Sequence, residues 1–228
     1  MRASRSAVLA ACAVGAAVAL LAACAGQPTG GGNPMGFFIT SANPGKGGDL
    51  GGLAGADRHC QTLAAAAGAG NKTWRAYLSS VGMDGQPAVH ARDRIGAGPW
   101  RNAKGELVAA NVAELHGPNN KLGKQTSLTE KGAVVPGRGD PVNQHDILTG
   151  SRPDGTLAVP EPGKDTTCGN WTRSEGGSAI VGHHDKDGIN PDPVANVSWN
   201  ASHGTRGCSV DQLKASGSAG LLYCFAAR

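Results

Sequence analysis

Hydrophobic and polar positions follow two different periods near the start of the domain, and the periods predict a helix between two strands. A helical face is formed by Leu53, Ala56, Cys60, Leu63, Ala64 and Ala67, and Gly68 follows as a helix terminator. Residues 36–40 are a run of strand-forming residues and predict an opening strand. Residues 73–80 place Trp74, Ala76 and Leu78 opposite Arg75, Tyr77 and Ser79, which predicts a half-buried strand.

Turn residues divide the remainder of the chain into short segments. A turn at residues 96–99 precedes a short hairpin or helix that carries Leu107, Val112 and Leu115. Residues 118–162 contain many glycines and prolines, which predicts a segment that is mostly loop. It has one short strand near "HDILTG" and a turn at residues 153–155. "TCGNWTR" predicts a further strand, and "LLYCFAA" predicts the last one. Because neither an internal repeat nor a linker interrupts this pattern, we expect one α+β domain.

The N-terminal segment is typical of an exported lipoprotein. Arg2 and Arg5 precede an apolar run that ends in "LLAAC", and a polar, glycine-rich stretch follows. We therefore predict a signal peptide over residues 1–23, acylation of Cys24, a flexible tether over residues 24–36 and a domain over residues 37–228. The alternative is an ordinary signal peptide that leaves Cys24 as a free thiol. The expected location is the cell envelope, at the outer membrane or cell surface.

The charge and composition of the chain argue against nucleic acid as its binding partner and indicate a small hydrophobic core. Removal of Arg2 and Arg5 lowers the 21 basic residues to 19, against 17 acidic residues. No two basic residues are adjacent, which argues against a nucleic-acid surface. With 36 glycines and only 4% aromatic residues, the core is modest, and we expect covalent support.

Four cysteines remain after Cys12 in the signal peptide and Cys24 are set aside: Cys60, Cys168, Cys208 and Cys224. An even number in an exported protein indicates two disulfides, with three pairings open. A zinc site is the alternative, but none of the four belongs to a C-x-x-C pair.

The segment "GADRHCQTLAAAAGAGNKTWRAYLSS" resembles the endostatin domain found at the end of some collagens. The similarity continues in the same order through "ARDRI", "ILTGSRPDGT", "CGNWTR" and "LLYCFAA". This resemblance implies a C-type-lectin-like fold: a mixed twisted sheet, one or two helices, long loops and two nested disulfides, Cys60–Cys224 and Cys168–Cys208. Endostatin holds zinc through histidines at its extreme N-terminus, and nothing similar precedes Phe37, so that site is not expected here.

The same resemblance raises the question of a calcium and sugar site. Calcium-dependent lectins use a Glu-Pro-Asn and a Trp-Asn-Asp segment, where this chain has Glu161-Pro162-Gly163 and Trp199-Asn200-Ala201. Since two of the oxygen ligands are replaced, we expect this stretch to be scaffold, with Trp199 in the core. The candidate ligand-binding residues are Glu161, Asn200, Trp171 and Arg173.

"GHHDKDGINPD" is a second candidate, and its metal-ligand types are His183, Asp185, Asp187 and Asp192. The spacing is not that of an EF-hand, and a solvated turn is the alternative. No cofactor is required by the motifs, and Ca²⁺ is the one that these residues suggest. Asp146, beside a predicted strand, is interpreted as a hydrogen-bonding residue of a turn or strand end, and an acid/base role is the alternative.

No G-x-S-x-G turn and no close carboxylate pair are present, so we predict that the protein is not an enzyme. The predicted function is that of an envelope-anchored, lectin-like binding protein that recognises a glycan or another extracellular ligand through the loops of about residues 140–200. The alternative is a structural or adhesion protein that binds an envelope protein. An unrecognised enzyme is the third hypothesis.

Overall fold

The computed structural model describes residues 33–228 of the chain. The predicted signal peptide, Cys24 and residues 25–32 of the predicted tether lie outside the described residues. Residues 33–36 contact the domain: the Asn33 amide donates to the carbonyl of Ala67 at 2.9 Å, and Met35 is buried. Within the described range, no helix is long and apolar enough to cross a membrane.

The described part of the chain contains one long helix and many short elements. In chain order they are β1 (Phe37–Ile39), α1 (Gly52–Ala66), β2 (Trp74–Ala76), α2 (Ala91–Arg94), β3 (Trp100–Arg101), β4 (Leu107–Ala109), α3 (Val112–Leu115), β5 (Asp146–Leu148), α4 (Cys168–Trp171), β6 (Ile180–His183), α5 (Pro193–Asn196), β7 (His203–Gly204), α6 (Val210–Lys214) and β8 (Ser218–Ala226). The main sheet has the order β1-β8-β5-β6-β7, and β2 also pairs with β8. β5 and β8 are parallel, whereas the other pairs are antiparallel. An α+β domain with a mixed sheet is therefore confirmed.

Strand β8 lies in the middle of the sheet and is buried on both sides. Leu222 and Cys224 belong to the apolar cluster beneath α1, whereas Leu221, Tyr223 and Phe225 belong to the cluster on the opposite face. A strand that is covered on both faces needs apolar residues at successive positions. This explains why "LLYCFAA" lacks the alternation of a half-exposed strand.

Helix α1 is fastened to the sheet by its apolar face and by one disulfide. Ala56, Cys60 and Ala64 are buried, and the chain leaves the helix at Gly68 with a φ of +76°. The cysteines pair as Cys60–Cys224 and Cys168–Cys208, as predicted. Both bonds are compatible with an exported protein.

Two of the predicted strands differ from the structure. β2 ends at Ala76, and beyond it Tyr77 and Ser79 are buried, because their hydroxyl groups find partners inside the domain. "TCGNWTR" does not form a strand: Cys168–Trp171 is a left-handed turn with φ values from 47° to 67°. Glycine and asparagine tolerate this conformation, and the turn carries Trp171 into the core.

Candidate functional site

Three strand ends bring one set of polar side chains together. Asp146 begins β5 and pairs with His183 at the end of β6, whereas His203 begins β7 and pairs with Val181. Residues directly opposite one another in antiparallel strands point to the same face of the sheet. Val181 and His183 also share a face, because side chains alternate along a strand. Asp146, His183 and His203 therefore project from the same face at the same end, and His145 stands beside them.

The carboxylate of Asp146 is at the centre of this histidine cluster, which we define as His145, Asp146, His183 and His203. Its Oδ1 lies 3.2 Å from Nε2 of His145 and 3.3 Å from Nε2 of His183. Its Oδ2 lies 3.4 Å from Nε2 of His203. Asp146 is completely buried, yet among residues 33–228 neither oxygen has a hydrogen-bond partner of acceptable geometry. The interpretation of Asp146 as a hydrogen-bonding residue of a turn or strand end therefore stays a prediction.

The other ring nitrogen of each histidine faces an acceptor. Nδ1 of His145 lies 3.3 Å from Oδ1 of Asp185. Nδ1 of His183 lies 2.8 Å from the carbonyl of Asn196, and Nδ1 of His203 lies 3.1 Å from the carbonyl of Gly204. A proton on Nδ1 satisfies each acceptor and turns Nε2 towards Asp146.

The protonation tendencies of the three histidines differ. Burial lowers the pKa of His183 below its ordinary value. Burial also opposes the charged form of His145, but the hydrogen bond with Asp185 and the charge of Asp146 raise its pKa overall. The contact with Asp146 raises the pKa of His203. Burial alone would raise the pKa of Asp185, yet hydrogen bonds from His145 and from the backbone N–H of Arg138 hold it well below its usual value.

A cavity of about 600 Å³ opens above the cluster. His145, His183 and His203 line its floor, and Arg138, Arg206 and Lys214 supply cations to its wall. Among the described residues, no carboxylate group lines the cavity. The wall is built from loops around strands β5 to β7 and from the end of α6, so the sheet holds the floor and the loops shape the entrance.

The four predicted ligand-binding residues do not meet in this cavity. Glu161 and Arg173 are exposed on other loops, and Trp171 is buried, with its Nε1 donating to the carbonyl of Ser79 at 2.8 Å. The amide of Asn200 is buried and donates to the hydroxyl of Tyr77 and to two backbone carbonyls. Trp199 is buried among aromatic rings, so its expected place in the core is confirmed.

The predicted metal-ligand residues separate into different roles. His183 belongs to the histidine cluster, and Asp185 supports His145 from behind. Asp187 forms an exposed ion pair with Arg138 at 3.2 Å, and Asp192 caps the N-terminus of α5. His184 points elsewhere, with Nε2 facing the carbonyl of Pro136, as expected for neighbours on extended backbone.

His145, Asp146 and His203 were not predicted as a site together with His183. The signal in the sequence was weak: a His-Asp pair at a strand start and single histidines in two other segments. Their convergence depends on the pairing of β5, β6 and β7, which local periodicity does not reveal.

Comparison with known proteins identifies no matching family. A search of curated proteins also finds no match. The geometry of the cluster and cavity is therefore the basis for a functional assignment.

Proposed function

We propose that this domain is a non-catalytic, C-type-lectin-like binding module, carried by a lipid-anchored envelope protein, and that it binds an acidic sugar in the cavity above the histidine cluster. The observation that carries the proposal is the lining of the cavity, which has three cationic side chains and no carboxylate from the described residues. The lectin-like fold rests on the sequence resemblance, the lipid anchor on the pattern of the N-terminal segment, and the sugar on the resemblance and this lining together.

The charges of the wall favour a ligand with a carboxylate. Arg206 and Lys214 are exposed and form no ion pair with any residue between positions 33 and 228. Arg138 is partly neutralised by Asp187. Two free cations that face one cavity attract an anion locally, although the chain as a whole is nearly neutral.

Size and apolar surface favour a sugar among the anions. A cavity of about 600 Å³ lies in the usual range for small-molecule sites and can hold one or two sugar rings. Ile189, which is 81% exposed, and Pro191 give the cavity an apolar edge on which a sugar ring can pack its C–H face. An inorganic anion would make no use of that edge.

The proposal is tested by calorimetric titration of the full chain, purified in detergent, with glucuronate and with glucose as the matched neutral sugar. A chelator is present throughout, so that binding reports on the cationic wall alone. We expect saturable, salt-sensitive binding of glucuronate and none of glucose.

The variant Arg206→Ala/Lys214→Ala should weaken glucuronate binding at least about tenfold, since each bond to a charged group contributes about 1.5–3 kcal/mol. The control Lys164→Ala/Arg173→Ala removes the same number of charges outside the cavity and should change nothing. Equal binding of both sugars, or unchanged affinity in the first variant, would refute the proposal. Capture of an acidic envelope protein without any sugar binding would instead support the adhesion alternative.

A further inference from the structure

We infer that His145, His183 and Asp146 form a binding site for one divalent transition-metal ion, and that Zn²⁺ is the ion that fits it best. The inference is independent of the proposed function, because it concerns the metal alone.

Asp146 needs a positive partner that the hydrogen-bond network does not supply. Its side chain is 0% exposed, and neither oxygen has a hydrogen bond of acceptable geometry with any residue that the structure describes. An isolated carboxylate in a protein interior is strongly unfavourable unless it is paired or coordinates a metal. The groups that surround it are imidazole nitrogens, which are metal ligands themselves.

The distances between the ligand atoms match a metal site better than a hydrogen-bonded pair. Tetrahedral zinc, with bonds of about 2.0–2.1 Å to nitrogen and oxygen, separates its ligand atoms by about 3.3 Å. Oδ1 of Asp146 lies 3.2 Å from His145 Nε2 and 3.3 Å from His183 Nε2. Charge-assisted N–H···O bonds are shorter, at about 2.7–2.9 Å. The three residues also offer ligand atoms that all lie within 4.8 Å of one another.

The second ring nitrogens of His145 and His183 have the kind of partner that metal-binding histidines usually have. A metal-binding histidine commonly donates its second ring N–H to a carboxylate or a backbone carbonyl, which fixes the tautomer. His145 faces Asp185 in this way, and His183 faces the carbonyl of Asn196.

His183 shows most clearly that a cation is needed. With its proton on Nδ1, the lone pair of Nε2 faces an oxygen of Asp146 at 3.3 Å, which is repulsive without a cation between them. The hydroxyl of Ser202 lies 3.0 Å from Nε2 and 3.2 Å from Nδ1. This hydroxyl is a hydrogen-bond partner of the ring, but it is neutral and does not compensate the charge of Asp146.

The donor set favours a transition metal over calcium. Two imidazoles and one carboxylate suit zinc, whereas calcium requires six to eight oxygen ligands. Zinc also binds nitrogen and oxygen donors more tightly than Mn²⁺ or Fe²⁺ do. The ion that fits this cluster therefore differs from the Ca²⁺ that the acidic residues suggested from sequence.

The site has an open side. His145, His183 and His203 all line the cavity floor, and His203 faces the second oxygen of Asp146. Three protein ligands leave one position of a tetrahedral ion free, which is the arrangement of zinc sites that bind an exogenous group. A carboxylate or hydroxyl oxygen in the cavity could occupy that position.

The competing arrangement contains no metal. In it, His145 and His203 carry protons and their charges compensate Asp146, in keeping with the raised pKa of both histidines. The two arrangements differ in whether the protein binds one equivalent of metal at neutral pH.

The test uses the full chain without a histidine tag, purified in detergent and freed of metal with a chelator. Equilibrium dialysis with Zn²⁺ should give one tight site per chain. Titration with Co²⁺ should give the intense visible absorption of a four-coordinate ion, and Zn²⁺ should abolish it. Ca²⁺ at equal concentration should neither bind tightly nor displace cobalt.

Two variants of the proposed ligands, each compared with the same substitution at a residue outside the cluster, test which side chains bind the metal. Asp146→Asn should weaken zinc binding more than about 100-fold, because loss of an outer partner of a ligand already costs 10–100-fold. Asp84→Asn, at an exposed carboxylate, should bind like the wild type. His183→Gln should lose the cobalt absorption, whereas His59→Gln on α1 should keep it. Asp185→Asn should weaken zinc binding about 10–100-fold.

Folding is checked without metal. Asp146→Asn removes a buried uncompensated charge, so its metal-free thermal unfolding midpoint should equal or exceed that of the wild type. The inference is overturned if the wild-type chain binds neither Zn²⁺ nor Co²⁺ at one equivalent, or if folded Asp146→Asn binds them as the wild type does. Failure of glucuronate binding with intact zinc binding would reject only the proposed function.

Discussion

Asn200 and Asp146 are both buried polar side chains, but within the described part of the chain only the side chain of Asn200 has hydrogen-bond partners. The amide nitrogen of Asn200 has three acceptors in the interior, whereas Asp146 has three ring nitrogens at distances of 3.2–3.4 Å and no hydrogen bond. A satisfied buried amide stabilises the fold. An unsatisfied buried carboxylate among potential ligands indicates a binding site.

Replacement of Asn200 by alanine should therefore lower stability. The change leaves the carbonyl of Pro153 without its side-chain donor and removes one of the two donors to the carbonyl of Arg152, which also accepts from the N–H of Gly155. It also removes one of the partners of the Tyr77 hydroxyl, which keeps its contact with His116. We expect the free energy of unfolding to fall by about 1–3 kcal/mol in chemical denaturation. Asn119→Ala, at an exposed position, is the control and should change it by less than about 0.5 kcal/mol. An Asn200→Ala protein as stable as the wild type would show that this network does not stabilise the domain.

The two tyrosines should not ionise in the folded protein. Burial raises the pKa of Tyr77 and of Tyr223 far above the ordinary value near 10. Because the folded-state pKa is raised, the stabilisation is present below about pH 10 and is lost as the pH rises beyond it. Spectrophotometric titration should show no tyrosinate at about pH 11 until the protein unfolds cooperatively. Gradual ionisation near pH 10 without a change in circular dichroism would contradict the buried placement.

One carboxylate, that of Asp57 in helix α1, joins this helix to strand β2 and helix α2. Asp57 accepts two hydrogen bonds from Arg94, at 2.7 and 2.8 Å, and a third from Arg75 at 2.8 Å. Its Oδ1 also accepts the backbone N–H of Ala76 at 3.0 Å. Arg94 and Asp57 are nearly buried, with side-chain exposures of 12% and 11%. These hydrogen bonds therefore hold α1, β2 and α2, which follow one another along the chain, in contact with one another.

Asp57→Ala should be among the more damaging single changes in the domain. It leaves the Arg94 guanidinium buried without its partner, for which the usual penalty is about 3–5 kcal/mol. Asp93→Ala serves as the control, since Asp93 forms an exposed pair with Arg92 at 3.6 Å and should contribute less than about 1 kcal/mol. Urea denaturation of the two variants measures both values. Equal loss in both would remove the special role assigned to Asp57.

Helix α1 and strand β8 could be predicted because their signals are local. The apolar face of α1 repeats every three to four residues, and β8 is a continuous apolar run between turn signals. The left-handed turn at Cys168–Trp171 could not be predicted in the same way, because its shape depends on the disulfide and on burial of Trp171. The histidine cluster depends on the register of β5, β6 and β7, two of which are too short to show a period.

The domain as a whole is held by two covalent links of very different span. Cys60–Cys224 joins α1 to β8 across 164 positions, and Cys168–Cys208 joins the left-handed turn to the segment before α6 across 40 positions. Both links lie beneath one face of the sheet, in the same apolar cluster. The histidine cluster is at the end of the strands that these links support.

The longer link should contribute more stability. Loop-closure entropy predicts about 5 kcal/mol for Cys60–Cys224 and about 4 kcal/mol for Cys168–Cys208. The paired replacements Cys60→Ser/Cys224→Ser and Cys168→Ser/Cys208→Ser should lower the free energy of unfolding in that order, as measured by denaturant titration. If the shorter link proved to contribute clearly more, local strain rather than chain entropy would govern the stability of the domain.

We propose that the disulfide-linked sheet holds a metal ion in the histidine cluster and that the cationic wall of the cavity binds an acidic ligand. The most direct measurement is a crystal structure of the zinc-soaked full chain, with anomalous diffraction collected on both sides of the zinc absorption edge. We expect one anomalous peak about 2.0–2.2 Å from Nε2 of His145, Nε2 of His183 and Oδ1 of Asp146. A cluster without a peak, in which protonated histidines hydrogen-bond directly to Asp146, would contradict it.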